Sequence, residues 1–255
     1  MSPDAHAAKS VLSSSEMCEA ADRSVSTDWG AYATAYDLLT QHNPEYRAIM
    51  RDFEAFTTTI ETPRVIYDVG GGTGNYTEIA ARAWPSSDLR FIEPDVNMLK
   101  LAKSKLVAHE HVRYQNLSLK DIDPQVKADL VICVHALYTM PEQEQRLSDL
   151  HCLIRPGGWL YLVDLGRYMN IADWRSYLFS TLKKELGLAG ALRVFWKGRE
   201  IAKQNTAIFE AQKKGMYWTH TPAEIASSVI AAGFEITRQE SVYRGYSDLL
   251  VCRAS

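Results

Sequence analysis

Four glycines within five positions, Gly70, Gly71, Gly72 and Gly74, stand directly behind the run RVIYDV, which carries Asp68. Where a strand hands over to a helix, glycine opens torsions closed to other residues and lets a ligand approach the main chain closely. The residues behind the loop, YTEIAARAW, carry the apolar spacing of a helix. A strand, a glycine turn and a helix in that order begin a βαβ crossover, which obliges the next strand to run parallel to the first. The pattern therefore commits the chain to an α/β sheet. The loop implies a nucleotide-like ligand held by main-chain amides at this first turn.

The alternation continues. LRFIEP and VRYQNL read as the second and third strands with the helix VNMLKLAKSKL between them, and ADLVICVHAL reads as the fourth. EQEQRLSDLHCLI is a helix halted by Pro156, Gly157 and Gly158, ahead of a fifth, fully buried strand WLYLVDL. Thr221 as N-cap, Pro222 as first helical residue and Glu224 as capping-box partner open a late helix that Gly233 ends. FEITRQESVY and SDLLVCRA then form a closing antiparallel hairpin. Alternation lapses over 167–220, where two or three helical segments break near Gly187, Gly190 and Gly198. Ahead of the first strand, Tyr32, Tyr36, Leu39, Met50 and Phe53 indicate helices interrupted near Pro44. The expected division is a flexible tail (1–28), too poor in apolar periodicity to order itself alone, a helical lid (29–60), an α/β core (61–166), a helical cap (167–220) and the last helix and hairpin of the core (221–255).

Composition excludes other classes. A net charge of -3 gives no drive toward a polyanion, so nucleic acid is not an expected partner. No apolar run approaches the ~20 residues of a membrane span, and the N-terminus lacks a basic-then-apolar leader pattern. No membrane association and a cytoplasmic location are expected. Cys18, Cys133, Cys152 and Cys252 are scattered without a CxxC pair, so they read as reduced thiols rather than zinc ligands or a disulfide framework.

Spacing separates the nucleotide classes that use such a loop. A dinucleotide fingerprint, G-x-G-x-x-G, counted from Gly70 needs glycine where Asn75 stands. What is present is D-x-G-x-G-x-G, with Asp68, Gly70, Gly72 and Gly74. Here the chain resembles the class I S-adenosylmethionine-dependent methyltransferases, whose first motif is (D/E)-x-G-x-G-x-G. Glu93 ends the second strand 19 residues after Gly74, where a carboxylate can accept both ribose hydroxyls. EPDVNML resembles the family's stretch around that acid and implies Pro94 and Met98 beside adenine. QNLSLKDI puts Ser118, followed by Leu119, where the family commonly has an aspartate for the adenine amino group. This is a departure, since a hydroxyl accepts more weakly. ADLVICVHALYTMPE resembles the fourth motif, with Val134, His135 and Leu137 at its outer end, and LIRPGGWLYLVD the segment after it. The resemblance runs from Arg64 to Asp164. It implies S-adenosylmethionine as donor, S-adenosylhomocysteine as product, and a Rossmann-like, doubly wound, mostly parallel seven-stranded sheet with the helical lid and inserted cap described above.

Methyl transfer needs in-line approach, exclusion of water and sometimes a base. His135, with an ordinary pKa near ~6.5, is the candidate base, with pocket lining as the alternative. Tyr138 either orients substrate or is core. Tyr32 and Tyr36 resemble the family's lid tyrosines, and equally read as a helix-packing pair at i, i+4. Gly71 and Asn75 complete the expected donor site. Residues 167–220 hold ten Lys or Arg against four Asp or Glu, and nine of the chain's 26 aromatics. This is consistent either with an aromatic-lined pocket for a small apolar or aromatic, acid-bearing acceptor or with a solvated basic face. The expected activity is methyl transfer to O, N or C of a small metabolite without a metal, since no acid follows the fourth strand until Glu142. The alternatives are a donor-binding protein that transfers nothing, or a nucleic-acid or protein methyltransferase, and a homo-oligomer is left open.

Overall fold

The computed structural model describes Asp28, residues 36–38 and residues 41–255; Tyr32, Cys18 and most of the tail fall outside the described residues. Seven strands, β1 (Val65–Val69), β2 (Asp88–Ile92), β3 (Val112–Gln115), β4 (Ala128–Val134), β5 (Ile154–Leu165), β6 (Phe234–Val242) and β7 (Ser247–Ala254), form one sheet in the order β3-β2-β1-β4-β5-β7-β6. The first five are mutually parallel, and β7 runs antiparallel to both β5 and β6. This is the mostly parallel, seven-stranded, Rossmann-like sheet expected from the sequence. Strand order reverses between β1 and β4, which places a crevice beyond their carboxyl ends.

Helical residues at 36–38 and 41–42 precede α1 (Pro44–Phe56), α2 (Asn75–Ala83), α3 (Val96–Lys105), α4 (Gln143–Leu153), α5 (Ile171–Lys197), α6 (Arg199–Lys213) and α7 (Pro222–Ala231). Side chains alternate across the sheet at period two, so neighbours on one strand enter different cores. Ile66, Phe91 and Ile132 pack with α1, α2 and α3 on one face, through Phe53, Ile79 and Leu99. Tyr67, Val131 and Cys133 pack with α4 and α7 on the other, through Leu147 and Val229. All seven residues of β4 are buried, which explains its unbroken apolar run.

Helix starts follow local chemistry. Asn43 caps α1 by accepting from the amides of Glu45 (3.0 Å) and Tyr46 (3.3 Å), with Pro44 at the first helical position. Asp95 caps α3 through the amides of Asn97 and Met98, both at 2.9 Å. The box at α7 is reciprocal: Thr221 accepts from the Glu224 amide at 3.2 Å and Glu224 from the Thr221 amide at 2.7 Å.

Three local readings are corrected. Pro156, Gly157 and Gly158 lie inside β5, which starts at Ile154; the pairing with β4 passes from Ala128↔Ile154 to Leu130↔Trp159, so these residues form an irregularity within the strand. β4 stops at Val134 because His135 turns to φ 51°. Gly190 breaks nothing: it lies within α5 against Leu186, whereas Gly187 (φ 71°, ψ 173°) interrupts that helix and Gly198 separates α5 from α6.

Candidate functional site

A cavity of 450 Å³ occupies the switch-point crevice, and Gly70, Gly71 and Gly72 form part of its wall. The three glycines differ in purpose. A Cβ at Gly70 (φ 68°) would lie 2.5 Å from the Ala136 Cβ, whereas one at Gly72 (φ 59°) would meet no atom within 4 Å. Gly70 therefore serves the approach of the β4 end, and Gly72 leaves backbone bare toward open space. The loop's amides are already committed. Those of Gly70 and Gly71 donate to the Ile92 carbonyl (2.9 and 3.1 Å), that of Gly74 to Gly71 (2.9 Å) and that of Gly72 to Glu93 Oε2 (2.9 Å). Those of Gly70, Gly71 and Gly72 tie the loop to the tip of β2, a departure from the expectation that the loop amides stand open to grip a ligand.

Glu93 is the hub of that tip. Its Oε1 accepts from the Asp95 amide at 2.8 Å while Oε2 holds Gly72, and the buried carboxylate still lines the cavity. Burial pushes its pKa up to about 7, against the lowering effect of the two amide bonds. Asp68, also in the lining, is raised to about 6 by burial and accepts from the Thr77 hydroxyl. Pro94 and Met98 lie on one stretch of the wall, Ser118 and Leu119 on another, with Val134 at the β4 end. Asn116 steadies the first stretch by donating to the carbonyls of Glu93 and Pro94, both at 2.8 Å.

Two expected ligand residues stand outside the lining. A Cβ at Gly74 would press on Leu106 of the segment after α3, so this glycine serves helix packing. Asn75 accepts from Lys105 Nζ at 2.6 Å, and the same ammonium donates to Asp37 (2.6 Å) and Thr73 (3.2 Å), pinning the loop to residues 36–38. Tyr138 likewise does not line the cavity: it is buried edge-on to Tyr217, centroids 5.6 Å apart, and its amide donates to Asp164 at 3.0 Å.

His135 does line it, half-buried, with Nε2 3.0 Å from the Ser247 hydroxyl. Burial lowers its pKa to about 4, so the imidazole is neutral near pH 7 but a far weaker base than its ordinary value implies. Tyr36 is also in the wall, its hydroxyl 3.4 Å from that of Tyr46. Sequence reasoning missed Tyr46, Tyr76 and Tyr217 in this lining. Tyr76 matters most: its hydroxyl is buried without a hydrogen-bond partner. The only signal for it was its place two residues behind Gly74 in the first motif.

Beneath the cavity, the cap meets the core through a buried charge cluster that sequence reading also missed. His220 lies 3.3 Å from Asp164 and 3.5 Å from Asp248, all three fully buried, and Arg167 also pairs with Asp248. Gly166 is required here, because a Cβ would collide with the His220 ring. The Trp218 amide donates to the Tyr138 carbonyl at 2.8 Å, so the same linker seats Tyr217 in the wall. Among the described residues no group of three or more His, Cys, Asp or Glu side chains is arranged to hold a metal ion, and no helix is long and apolar enough to cross a membrane.

A family model described as a methyltransferase domain matches residues 67–160. The chain is 27% identical over 101 residues to a trans-aconitate 2-methyltransferase of Rhodopseudomonas palustris, covering 40% of this chain and 38% of that protein. It spans about two fifths or less of the curated relatives that head the comparison. Its fold is similar to magnesium protoporphyrin IX methyltransferase of Synechocystis PCC 6803, solved with S-adenosylmethionine bound (TM-score 0.60, 16% identity, 97% of this chain and 100% of that one). It is also similar to the N-methyltransferase NodS of Bradyrhizobium japonicum, solved with S-adenosylhomocysteine (TM-score 0.59, 11% identity, 88% and 98%).

Proposed function

We propose that this chain, which belongs by its core to the class I S-adenosylmethionine-dependent methyltransferases, transfers the donor's methyl group to O, N or C of a small metabolite. The observation that carries the proposal is the meeting, in one switch-point cavity, of the Glu93 carboxylate, the bare Gly72 backbone and the unpartnered Tyr76 hydroxyl. A nucleoside with a charged amino-acid tail fits this set. Glu93 would take the ribose hydroxyls, and Gly72 admits the sugar at close range. Pro94, Met98 and Leu119 offer apolar faces to the base, with the Ser118 hydroxyl nearby. The Asp68 carboxylate suits the tail's ammonium, and the tail's carboxylate would give the unpartnered Tyr76 hydroxyl an acceptor.

When bound, the donor would supply an electrophilic methyl carbon on a sulfonium, to which an electron pair of the acceptor would bond while the carbon–sulfur pair returns to sulfur as a neutral thioether and the acceptor's proton is lost. The chain's own work is placement and exclusion of water. Tyr36 and Tyr46 shield the crevice on the lid side and Tyr217 on the cap side, which gives residues 29–60 and 167–220 their roles as lid and cap. His135, neutral and tied to Ser247, shapes the wall at the end of β4; its lowered pKa makes proton removal near neutrality a minor part of its contribution. The net charge of -3 favours a small acceptor over a nucleic acid.

Incubation with methyl-labelled donor and a metabolite extract, followed by mass spectrometry, tests the assignment. Transfer of label to a small molecule supports it. Tight donor binding with no label transferred to any acceptor favours a binding protein, and label on RNA, DNA or protein instead overturns the small-molecule reading.

A further inference from the structure

A second cavity, of 290 Å³, lies between the cap helices and Leu38, His42 and Asn43. Its wall is mostly apolar, through Leu38, Met169, Ile171, Trp174, Leu178 and Phe195, with the amides of Asn43 and Asn205 beside them. Formal charge reaches it only through Arg175 and Arg199, which are both exposed and so stand at its mouth. Among the described residues no carboxylate lines it. Carboxylates on the flanking helices have partners of their own: Glu185 holds Arg47 through contacts of 3.1 and 3.2 Å, Asp173 holds Arg244 at 2.8 Å, and Glu200, next to Arg199, accepts from Gln204 at 2.8 Å and lies 3.6 Å from Lys203. His42, half-buried in the wall, has its pKa lowered by burial first and by Arg47 second, so it adds a polar ring rather than a charge near neutrality. An apolar hollow with two guanidinium groups at its mouth and no compensating acid suits an apolar anion, whose body leaves water while its charge stays at the wet rim.

One side chain stands between this cavity and the donor crevice. The Tyr243 ring lies 4.7 Å from Trp174, which lines the second cavity, and 5.1 Å from His135, which lines the first. Its hydroxyl accepts from Asn43 Nδ2 at 2.8 Å. Tyr243, Arg244 and Gly245 are all left-handed, at φ 54°, 56° and 82°. Two non-glycine residues in that region persist only where the surroundings over-determine them, so packing fixes this ring as the wall.

We propose that the cap cavity seats the apolar body of a carboxylic acid and that Arg175 and Arg199 hold its carboxylate at the mouth, a binding site that Tyr243 separates from the donor crevice. The binding of apolar acids at this site does not depend on the methyl-transfer reading. Isothermal titration with hexanoate, octanoate, decanoate and phenylacetate, each against its neutral amide, tests the site. At least one acid should bind, its amide about tenfold or more weakly, and an Arg175→Ala/Arg199→Ala variant should lose a similar factor. Ala202→Trp, which fills the cavity, should abolish acid binding. The exposed arginine pair keeps the test decisive should the filled variant fail to fold. S-adenosylhomocysteine should bind wild type and variants within about twofold of one another. Failure of every acid to bind, equal binding of acid and amide, or unchanged affinity in the arginine variant overturns the proposal. Acid binding without any response to S-adenosylhomocysteine would instead sink the donor assignment and leave the acid site standing.

Discussion

Glu93 gives the sharpest test of the donor site, because its structure sets opposing effects of similar size. Burial has raised its pKa from 4.5 to about 7. At ~1.4 kcal/mol per tenfold change in proton affinity, keeping it ionised above that pH costs about 3 kcal/mol relative to a free glutamate. Two ribose hydroxyls donating to the carboxylate contribute about 1.5–3 kcal/mol each, roughly 3–6 together, so the bound complex favours the ionised form. Affinity for S-adenosylhomocysteine should therefore weaken by about tenfold over the first pH unit below about 7 and level off above it. Titrations in buffers of different ionisation enthalpy should show proton release near that pH. Glu93→Ala removes both hydroxyl bonds together with the anchor of the Gly72 amide, so the dissociation constant should rise by about a hundredfold or more and its pH dependence vanish. A wild-type affinity that stays flat from pH ~6 to ~8, or an alanine variant that binds as wild type, refutes the reasoning. The free protein supplies a second readout of opposite character. A carboxyl raised on folding makes the native state bind more protons than the unfolded one between about 4.5 and about 7, so stability falls as pH rises through that window. Glu93→Gln should flatten that fall without abolishing it, since Asp68, raised to about 6, has the same sign.

Three further outcomes are expected. Tyr76→Phe removes a buried hydroxyl that has no partner, so thermal unfolding should show equal or slightly higher stability while the donor product binds about two- to tenfold more weakly; equal loss of stability and binding would point to a purely structural ring. Gly166→Ala drives a Cβ into His220 and should destabilise by about 1–3 kcal/mol in denaturant titration. His220→Ala should relieve part of that loss in a double-mutant cycle, and simple additivity would show that the two do not touch. Once an acceptor is known, its pH–rate profile should carry no inflection near ~6.5 that Phe or Asn at position His135 removes, because the imidazole titrates near 4.

What was legible in the sequence was whatever rests on neighbours along the chain. A glycine turn behind a β-branched run, strands alternating with helices, and caps such as Thr221 with Glu224 each involve residues a few positions apart, so their physics is written locally. Glu93 was legible for a related reason: a strand of ordinary length brings its end to a predictable place beside the loop, and the cavity wall includes both. Spacing alone failed where a neighbour across the fold claims the group. Asn75 follows the glycines yet faces Lys105, Gly74 gives way to Leu106, and the loop amides serve Ile92 and Glu93 rather than open space.

The amino-acid order by itself determined the alternation of strands with helices, hence a parallel sheet, and the closing antiparallel hairpin, because backbone hydrogen bonding and side-chain periodicity act between near neighbours. Only the tertiary structure decided the electrostatics and the walls. The depressed basicity of His135, the orphaned hydroxyl of Tyr76, the buried meeting of Asp164, His220 and Asp248, and the Tyr243 partition between two cavities all depend on which distant segments exclude water together. Desolvation is a property of the assembled interior, and no window of sequence contains it.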